Sequence, residues 1–202
     1  MLPDIALTLG TAGWATAATT LACRYRARLH TDPLTGLGNR AALYRTARRC
    51  FRPRRGAVGL LMVDLDRFKA LNDTHGHAFG NRVLAAVATR LAETTQPRER
   101  AVRLHGDEFA IWLGPTTTLG RAEARAEAIT RALAEPLWID GHRLSVLGSV
   151  GLATAPARTP LPELLGQADA HMYQVKATRQ LTVLPTHSTR PRDQHPHGGH
   201  AA

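Results

Sequence analysis

The sequence predicts an α+β domain with a ferredoxin-like layer, in which a central sheet is flanked by helices. One continuously apolar run has the length of a buried strand. Another pair of apolar runs is separated by a short polar tip, as in a hairpin, and several segments have helical periodicity. Helices mixed with hairpins favour this class over a doubly wound parallel sheet.

The predicted elements lie in residues 30–184, which we expect to form the main domain. In chain order they are a buried strand, an amphipathic helix, a hairpin, a helix stopped by a proline, two extended runs around an Asp-Gly turn, and a final helix. Their sequences are GAVGLLMVDLD, GNRVLAAVATRLAETT, RAVRLHGDEFAIWLG, LGRAEARAEAITRALAEP, LWIDGHRLSVLGSVGLATA and LPELLGQADAHMYQVKA.

The composition of the 202 residues fits a folded domain with appendages, since 44% are hydrophobic. The formal net charge is +10, but the basic residues are spread along the chain without interleaved aromatics. Nucleic-acid binding is therefore not expected. Cys23 and Cys50 have no metal-ligand spacing, which is typical of a reducing compartment.

The N-terminal segment, residues 1–29, contains an uncharged run over residues 5–23. As a helix this run would be about 28 Å long, close to the ~30 Å hydrocarbon core of a bilayer. Asp4 precedes it and several arginines follow, which predicts an anchor in the inner (cytoplasmic) membrane with the main domain in the cytoplasm. Thr, Gly and Ala make the run weakly apolar, so a soluble leading helix of a cytoplasmic protein stays the alternative.

The C-terminal segment, residues 185–202, has no apolar periodicity and is rich in Pro, Gly and His. Such a composition predicts disorder. His195, His197 and His200 are interpreted as part of a solvated tail rather than as ligands of a metal.

Two acidic pairs follow strand-like segments. Asp64 and Asp66 end the buried strand, and Asp107 and Glu108 lie at the hairpin tip. Oxygen ligands from two elements, with coordination left for phosphate and water, suit Mg²⁺ (or Mn²⁺). We expect only one of Asp64 and Asp66 to face a given site. Taken alone, Asp66 is also a candidate N-cap of the following helix.

Lys69 and Lys176 are the only two lysines of the chain. Arginine supplies every other fixed positive side-chain charge. Solvation is the ordinary role of a surface lysine. In an arginine-rich chain the two exceptions are better explained as point charges that bind phosphate. Together with the acidic pairs, they indicate a nucleotide site.

Five motifs, in order and at matching spacing, resemble the signatures of the GGDEF-domain diguanylate cyclases. They are DPLTGLGNR (32–40), VDLDRFKALNDTHGHAFGN (63–81), RLHGDEF (103–109), SVG (149–151) and ADAHMYQVK (168–176). Such proteins condense two GTP into cyclic di-GMP and pyrophosphate as homodimers, each subunit holding one GTP. The resemblance also implies a central sheet flanked by helices, akin to polymerase palms.

The resemblance implies a role for each matching residue. The implied ligands of the metal are Asp64, the Leu65 carbonyl, Asp107 and Glu108. Alternatively, Glu108 activates the 3′-hydroxyl. In the substrate site, Lys69 and Lys176 are implied to bind the triphosphate and Asn72 to bind guanine. Gly106 is implied to let the hairpin backbone approach the nucleotide. The segment 32–40 couples the incoming helix to the domain.

The chain departs from the family pattern at four places. His105 replaces the first glycine of the signature, and Asn81 replaces an aspartate that accepts hydrogen bonds from guanine. Arg179 comes one residue earlier than the family's last arginine, and an inhibitory R-x-x-D product site would fall on Gln96 and Glu99 and is absent. Feedback inhibition through that site is therefore not expected.

Two functions follow from this pattern. The retained carboxylates and lysines favour an active diguanylate cyclase, with His105, Asn81 and Arg179 as perturbations of its substrate site. The same departures favour the alternative, a degenerate non-catalytic domain that binds nucleotide or a protein partner and signals by contact.

Overall fold

The computed structural model describes residues 18–21, 25, 28–50, 56–116 and 118–182. The described residues between 18 and 29 are helical. Most of the expected anchor and all of the expected C-terminal tail lie outside the described residues. In the part of the chain that the structure describes, no helix combines the length and the apolar character needed to cross a membrane.

Between residues 30 and 182, the described residues form five helices and six strands. The helices are α1 (Arg40–Cys50), α2 (Phe68–His75), α3 (His77–Thr94), α4 (Leu119–Ala134) and α5 (Leu161–Thr182). The strands are β1 (Ala57–Leu65), β2 (Arg100–His105), β3 (Glu108–Thr116), β4 (Leu137–Ile139), β5 (His142–Leu144) and β6 (Gly148–Pro156).

Four strands form one antiparallel sheet in the order β2-β3-β1-β6, and β4 and β5 form a separate hairpin. Strand β1 is central and pairs with both β3 and β6. Its register places Asp64 opposite Glu108 on one side and opposite Ser149 on the other. The end of β1 therefore meets the hairpin tip and the start of β6.

The sheet has an apolar core on each face. Alternate residues of β1 divide between them, with Leu61 and Val63 on one face and Leu60 and Met62 on the other. Helices α3 and α4 cover the first face, and α1 and α5 cover the second. Full burial of such side chains stabilises the fold by roughly 1.5–3 kcal/mol each.

The predicted α+β class, a central sheet flanked by helices, is confirmed. The Asp-Gly turn is also found, with Asp140 and Gly141 at φ 52° and 77° between β4 and β5. Helix α3 begins at His77, three residues before the predicted start at Gly80.

The prediction that Asp66 caps the following helix is wrong. Helix α2 begins at Phe68 after Arg67, which adopts a left-handed conformation (φ 59°), and no side chain caps the helix. The carboxylate of Asp66 instead points to β6, where it accepts a hydrogen bond from Ser149. The N–H groups at the start of α2 therefore have no side-chain acceptor in the described part of the chain.

Candidate active site

Three carboxylates meet at one end of the sheet. Asp64 lies near the end of β1, and its register partner Glu108 begins β3. Asp107 precedes Glu108 in the turn of the hairpin. The side chains of Asp64 and Glu108 are 13% and 27% exposed, so both are partly buried and still reach solvent.

Burial and neighbouring negative charges disfavour the charged form of the carboxylates in this cluster. Burial raises the pKa of the Asp64 carboxyl; the Lys176 ammonium opposes this shift, and the charges of Asp107 and Asp66 reinforce it. Burial alone would lower the pKa of Lys176, but its hydrogen bond to Asp64 and two further carboxylates raise it. The ammonium thus offsets only part of the negative charge, and a second cation at this place would be stabilising.

Helix α5 brings two cations to the end of β1. Lys176 donates to the Oδ1 atom of Asp64. One turn later, the NH1 group of Arg179 lies 3.5 Å from Oδ2 of Asp66. Each of the two aspartates therefore has a cation of α5 as its partner, and that only one of them faces the substrate stays a prediction.

Ser149 connects Asp66 to the sheet. Its side chain is fully buried, and its hydroxyl donates to Oδ1 of Asp66 at 2.7 Å. The Asp66 amide donates to the Leu147 carbonyl at 2.9 Å. Asp66 is therefore fixed by both backbone and side chain to the segment that leads into β6.

Gly151 lets α5 pass very close to β6. A Cβ atom at this position would lie 2.2 Å from the Ala168 carbonyl oxygen and 2.3 Å from the Met172 amide nitrogen. Both contacts are with helix backbone, which cannot move aside as a flexible side chain can. The absence of a side chain at Gly151 thus sets the distance at which Lys176 and Arg179 approach β1.

The hairpin tip is held at its base by an arginine. The Nε atom of Arg103 donates to the Gly106 carbonyl at 2.9 Å, and its NH1 group lies 3.2 Å from Oδ1 of Asp32. Burial opposes ionisation of Asp32, but hydrogen bonds from Thr35 and Arg103 lower its pKa. The segment 32–40 is therefore linked directly to the turn that carries Asp107.

His105 is compatible with the hairpin. In the described residues, Arg67 and Asp140 are the non-glycine residues with positive φ, so His105 needs no glycine, whereas Gly106 has φ 49°. The Nε2 atom of His105 lies 3.2 Å from Oε2 of Glu108. Burial raises the pKa of Glu108, and three carboxylates add to the shift while His105 opposes it.

Asn72 and Asn81 lie at the junction of α2 and α3. The Oδ1 atom of Asn72 is buried and has no hydrogen-bond partner among the described residues. A Cβ atom at Gly80 would come within 1.9 Å of it, so only glycine allows this packing. Asn81 follows Gly80 and is exposed, and Lys69 is exposed in the first turn of α2.

An open cavity adjoins the cations of α5. It has a volume of about 880 Å³ and lies between α2 and residues 144–147. Asp66, Lys176 and Arg179 line it. The two cations thus face space that a ligand can enter.

The positions that would form the product site are engaged in another contact. Both carboxylate oxygens of Glu99 accept hydrogen bonds from Arg125, at 2.7 and 2.8 Å, and one also accepts from the Gln96 amide. The ion pair of Glu99 and Arg125 links α4 to the residue that precedes β2.

A family model described as "Diguanylate cyclase, GGDEF domain" matches residues 29–181. The chain belongs to the GGDEF domain family. Among curated relatives of this GGDEF domain is an uncharacterised 19.3 kDa protein of the repSA 5′ region of Streptomyces ambofaciens, 41% identical over 81% of this chain and 87% of that protein. Diguanylate cyclase DgcN of Escherichia coli K12 is 39% identical over 76% of this chain and 38% of the enzyme. The alignment therefore spans less than half the length of that cyclase.

Solved structures show the same GGDEF architecture. The coiled coil and GGDEF domain of DgcB from Caulobacter crescentus, in complex with c-di-GMP, superimposes with a TM-score of 0.76 at 25% identity, covering 88% of this chain and 96% of that one. The isolated GGDEF domain of TpbB (YfiN) from Pseudomonas aeruginosa gives a TM-score of 0.66 at 35% identity, covering 74% and 90%.

The oxygen atoms at the end of β1 and in the hairpin turn of this GGDEF domain are donors of the kind that a hard divalent ion takes. In the described ranges, no three His, Cys, Asp or Glu side chains are placed to hold a metal ion together. Asp107 nevertheless lies close enough to Asp64 for its charge to raise the pKa of Asp64, and the Leu65 carbonyl is adjacent in the chain. Oxygen donors of this kind fit Mg²⁺.

The sequence did not identify Ser149 and Gly151 as parts of the GGDEF site, although both lie in the SVG motif that supports the resemblance. Their partners, Asp66 and the backbone of α5, are distant in sequence. The available signal was a serine beside small residues at the start of a largely apolar strand.

Proposed function

We propose that this domain is a diguanylate cyclase, which condenses two GTP into cyclic di-GMP and two pyrophosphates. The observation that carries the proposal is the meeting of three carboxylates with two cations at one end of the sheet, namely Asp64, Asp107, Glu108, Lys176 and Arg179. Acidic and basic groups held side by side suit a nucleoside triphosphate accompanied by a divalent ion.

Asp64, Asp107 and the Leu65 carbonyl would hold Mg²⁺ (or Mn²⁺), with Glu108 as a further candidate ligand. When bound, the ion would withdraw negative charge from the phosphate oxygens, as a Lewis acid does. The raised pKa values of Asp64 and Glu108 support this assignment, because burial and the neighbouring carboxylates disfavour their charged forms and a bound cation would offset both effects.

Glu108 is the proposed base for the reacting hydroxyl. The 3′-oxygen of one nucleotide forms a bond to the α-phosphorus of the other, the bond to pyrophosphate breaks, and the hydroxyl proton passes to Glu108. The raised pKa of Glu108 makes its carboxylate a better proton acceptor than an ordinary glutamate. His105, 3.2 Å away, orients that carboxylate.

The triphosphate would lie between α2 and α5. Lys69 is exposed in the first turn of α2, whose N-terminus carries no side-chain cap. Free N–H groups at a helix N-terminus stabilise phosphate. Lys176 and Arg179 approach from α5.

Asn72 and Asn81 are the proposed contacts to the base. The packing of Asn72 against Gly80 places both asparagines at the same helix junction. The guanine edge carries N–H donors, and the side-chain amide of an asparagine offers an oxygen that can accept from them. This supports guanine, while the neutral amide of Asn81 selects it less strictly than a carboxylate would.

The reaction requires two half-sites that face each other, so we propose a homodimer. Leu21, Tyr25 and Leu29 are spaced four residues apart on helical backbone and are 70%, 65% and 52% exposed. An apolar stripe of this spacing is suited to pairing with a second copy of the helix. Each subunit would then bring its own GTP.

The test is to incubate the purified chain with GTP and Mg²⁺ and to identify products by mass spectrometry. We expect cyclic di-GMP and pyrophosphate, and no cyclic product when a chelator removes the metal. Protein concentration is varied, because a homodimeric reaction loses specific activity on dilution below the dimer dissociation constant.

The second candidate is a domain that binds nucleotide without turnover. The departures from the family pattern at Asn81, His105 and Arg179 favour it, because they change side chains at the expected substrate site. Calorimetric binding of GTP together with an absence of cyclic di-GMP at every protein concentration would establish this alternative.

The Asn81→Asp substitution is expected to raise kcat/KM for GTP by about tenfold, the size of one charge-assisted hydrogen bond in place of a neutral one. Incorporation of ATP into mixed dinucleotides should fall in parallel. The measurement is product analysis with GTP, ATP and their mixture.

The matched control is Gln174→Glu, which makes the same amide-to-carboxylate change on an exposed position of α5. It should leave the preference for GTP over ATP unaltered. Unchanged GTP kinetics in the Asn81→Asp variant would show that Asn81 does not face the base.

A further inference from the structure

Arg179 is held in place by acceptors that belong to other elements. Its NH1 group donates to the Gly148 carbonyl at 2.7 Å and lies 3.5 Å from Oδ2 of Asp66. Its Nε and NH2 groups make no hydrogen bond to any described residue, and the side chain is 39% exposed. One part of the guanidinium is therefore anchored, and the rest is available to a ligand.

The two groups that hold Arg179, Asp66 and Gly148, are themselves bound to the sheet. Asp66 accepts from the fully buried Ser149 hydroxyl through Oδ1, and this leaves Oδ2 for Arg179. Gly148, whose carbonyl holds the same guanidinium, pairs with Leu65 at the end of β1. Ser149, Asp66 and Arg179 thus form a chain of contacts from the buried sheet to the cavity beside α2.

We propose that Asp66 and Ser149 are positioning residues that hold the guanidinium of Arg179 toward the β- and γ-phosphates of the bound nucleotide. The inference rests on the proposed function insofar as it takes a nucleoside triphosphate as ligand. Arg179 shares the cavity wall with Lys176, which pairs with the neighbouring aspartate of the same strand end. A planar guanidinium whose Nε–NH2 edge is free suits bidentate phosphate binding only if its orientation is fixed.

The sign of the expected effect separates this proposal from simple electrostatics. Asp66 carries a negative charge near a site for an anion. If it acted only through its field, its removal would tighten triphosphate binding. If it positions Arg179, its removal weakens triphosphate binding, because the arginine side chain then loses conformational entropy when the ligand binds.

The experiment measures calorimetric affinities of the full chain for GMP and for a GTP analogue with a methylene group between the α- and β-phosphates, both with Mg²⁺. The analogue cannot react at the α-phosphate, so binding is read without turnover. Asp66→Asn should reduce the preference for the analogue over GMP by about fivefold to tenfold, less than the loss of a whole charged hydrogen bond, because the amide oxygen that replaces the carboxylate can still accept. Ser149→Ala should reduce it in the same direction by less.

A double-mutant cycle identifies the residue through which Asp66 acts. In an Arg179→Gln background, Asp66→Asn should cause no further loss of preference. Asp66→Glu should restore part of the preference, and Asp140→Asn, the same change at the β4–β5 turn, should leave it at the wild-type value.

The outcomes that overturn the proposal are distinct from failure of the proposed function. A preference that rises in Asp66→Asn, or that falls equally with Arg179 present or absent, overturns the positioning role. So does an equal loss for both ligands with a lowered melting temperature, or a wild-type chain without preference for the analogue. If the preference behaves as expected but no cyclic di-GMP forms, the proposed function fails and the positioning role stands.

Discussion

Replacing Asp64 or Asp107 by alanine is expected to reduce cyclic di-GMP formation by about 10³-fold or more. Each substitution removes a proposed ligand of a divalent ion that stabilises charge on the reacting phosphate, an effect of several kcal/mol. The loss should lie in kcat, measured as the initial rate of product formation at saturating GTP.

The two variants should differ in nucleotide binding. Asp64→Ala frees the Lys176 ammonium from its hydrogen bond, so binding of the triphosphate without metal should strengthen. Asp107→Ala removes a carboxylate from the hairpin turn and leaves that ion pair intact. Calorimetry with the non-reactive analogue, in the presence of a chelator, measures this difference.

The matched control is Glu163→Ala, which removes an exposed carboxylate from the first turn of α5. It should retain full turnover. Wild-type turnover in either aspartate variant, with an unaltered dependence on Mg²⁺, would refute the assignment of the metal ligands.

The parts of the fold that the sequence predicted are those set by local patterns. The apolar run of β1 has no polar residue between Ala57 and Val63, and helices pack on both faces of this strand. The hairpin follows from two apolar runs and a short tip, and the turn at Asp140 follows from residues that tolerate positive φ.

Local patterns do not predict contacts between residues that are distant in sequence. Helix α1 was not predicted, because its sequence is mostly arginine and alanine and only its packing onto the sheet defines its apolar side. The partner of Asp66 was also missed. A carboxylate before a helix suggests an N-cap, whereas the buried hydroxyl of Ser149, which is distant in sequence, is its observed donor.

The consequence of His105 was likewise a question of backbone geometry. Sequence alone left open whether the first glycine of the signature requires positive φ. The structure places that requirement at Gly106 (φ 49°) and leaves His105 free to contact Glu108. The substitution therefore changes the chemistry around the acidic tip rather than the shape of the hairpin.

Gly151→Ala is expected to destabilise the domain by about 3 kcal/mol, the upper part of the range for overpacked cores. The added Cβ atom would lie 2.2 Å from the Ala168 carbonyl oxygen, so α5 must move away from β6. For a domain of this size the melting temperature should fall by roughly 6–12 °C. Calorimetric or circular-dichroism melting measures this shift.

The same displacement should lower turnover, because α5 carries Lys176 and Arg179 to their aspartates at the end of β1. A shift of about 1 Å in such groups reduces rates by as much as ~10²-fold. The matched control is Gly166→Ala, also on α5, where an added Cβ atom meets nothing within 4 Å. Alanine there should stabilise the helix by up to about 1 kcal/mol and leave activity unchanged. If Gly151→Ala melts and turns over like the wild type, the close approach of α5 to β6 does not set the position of the two cations.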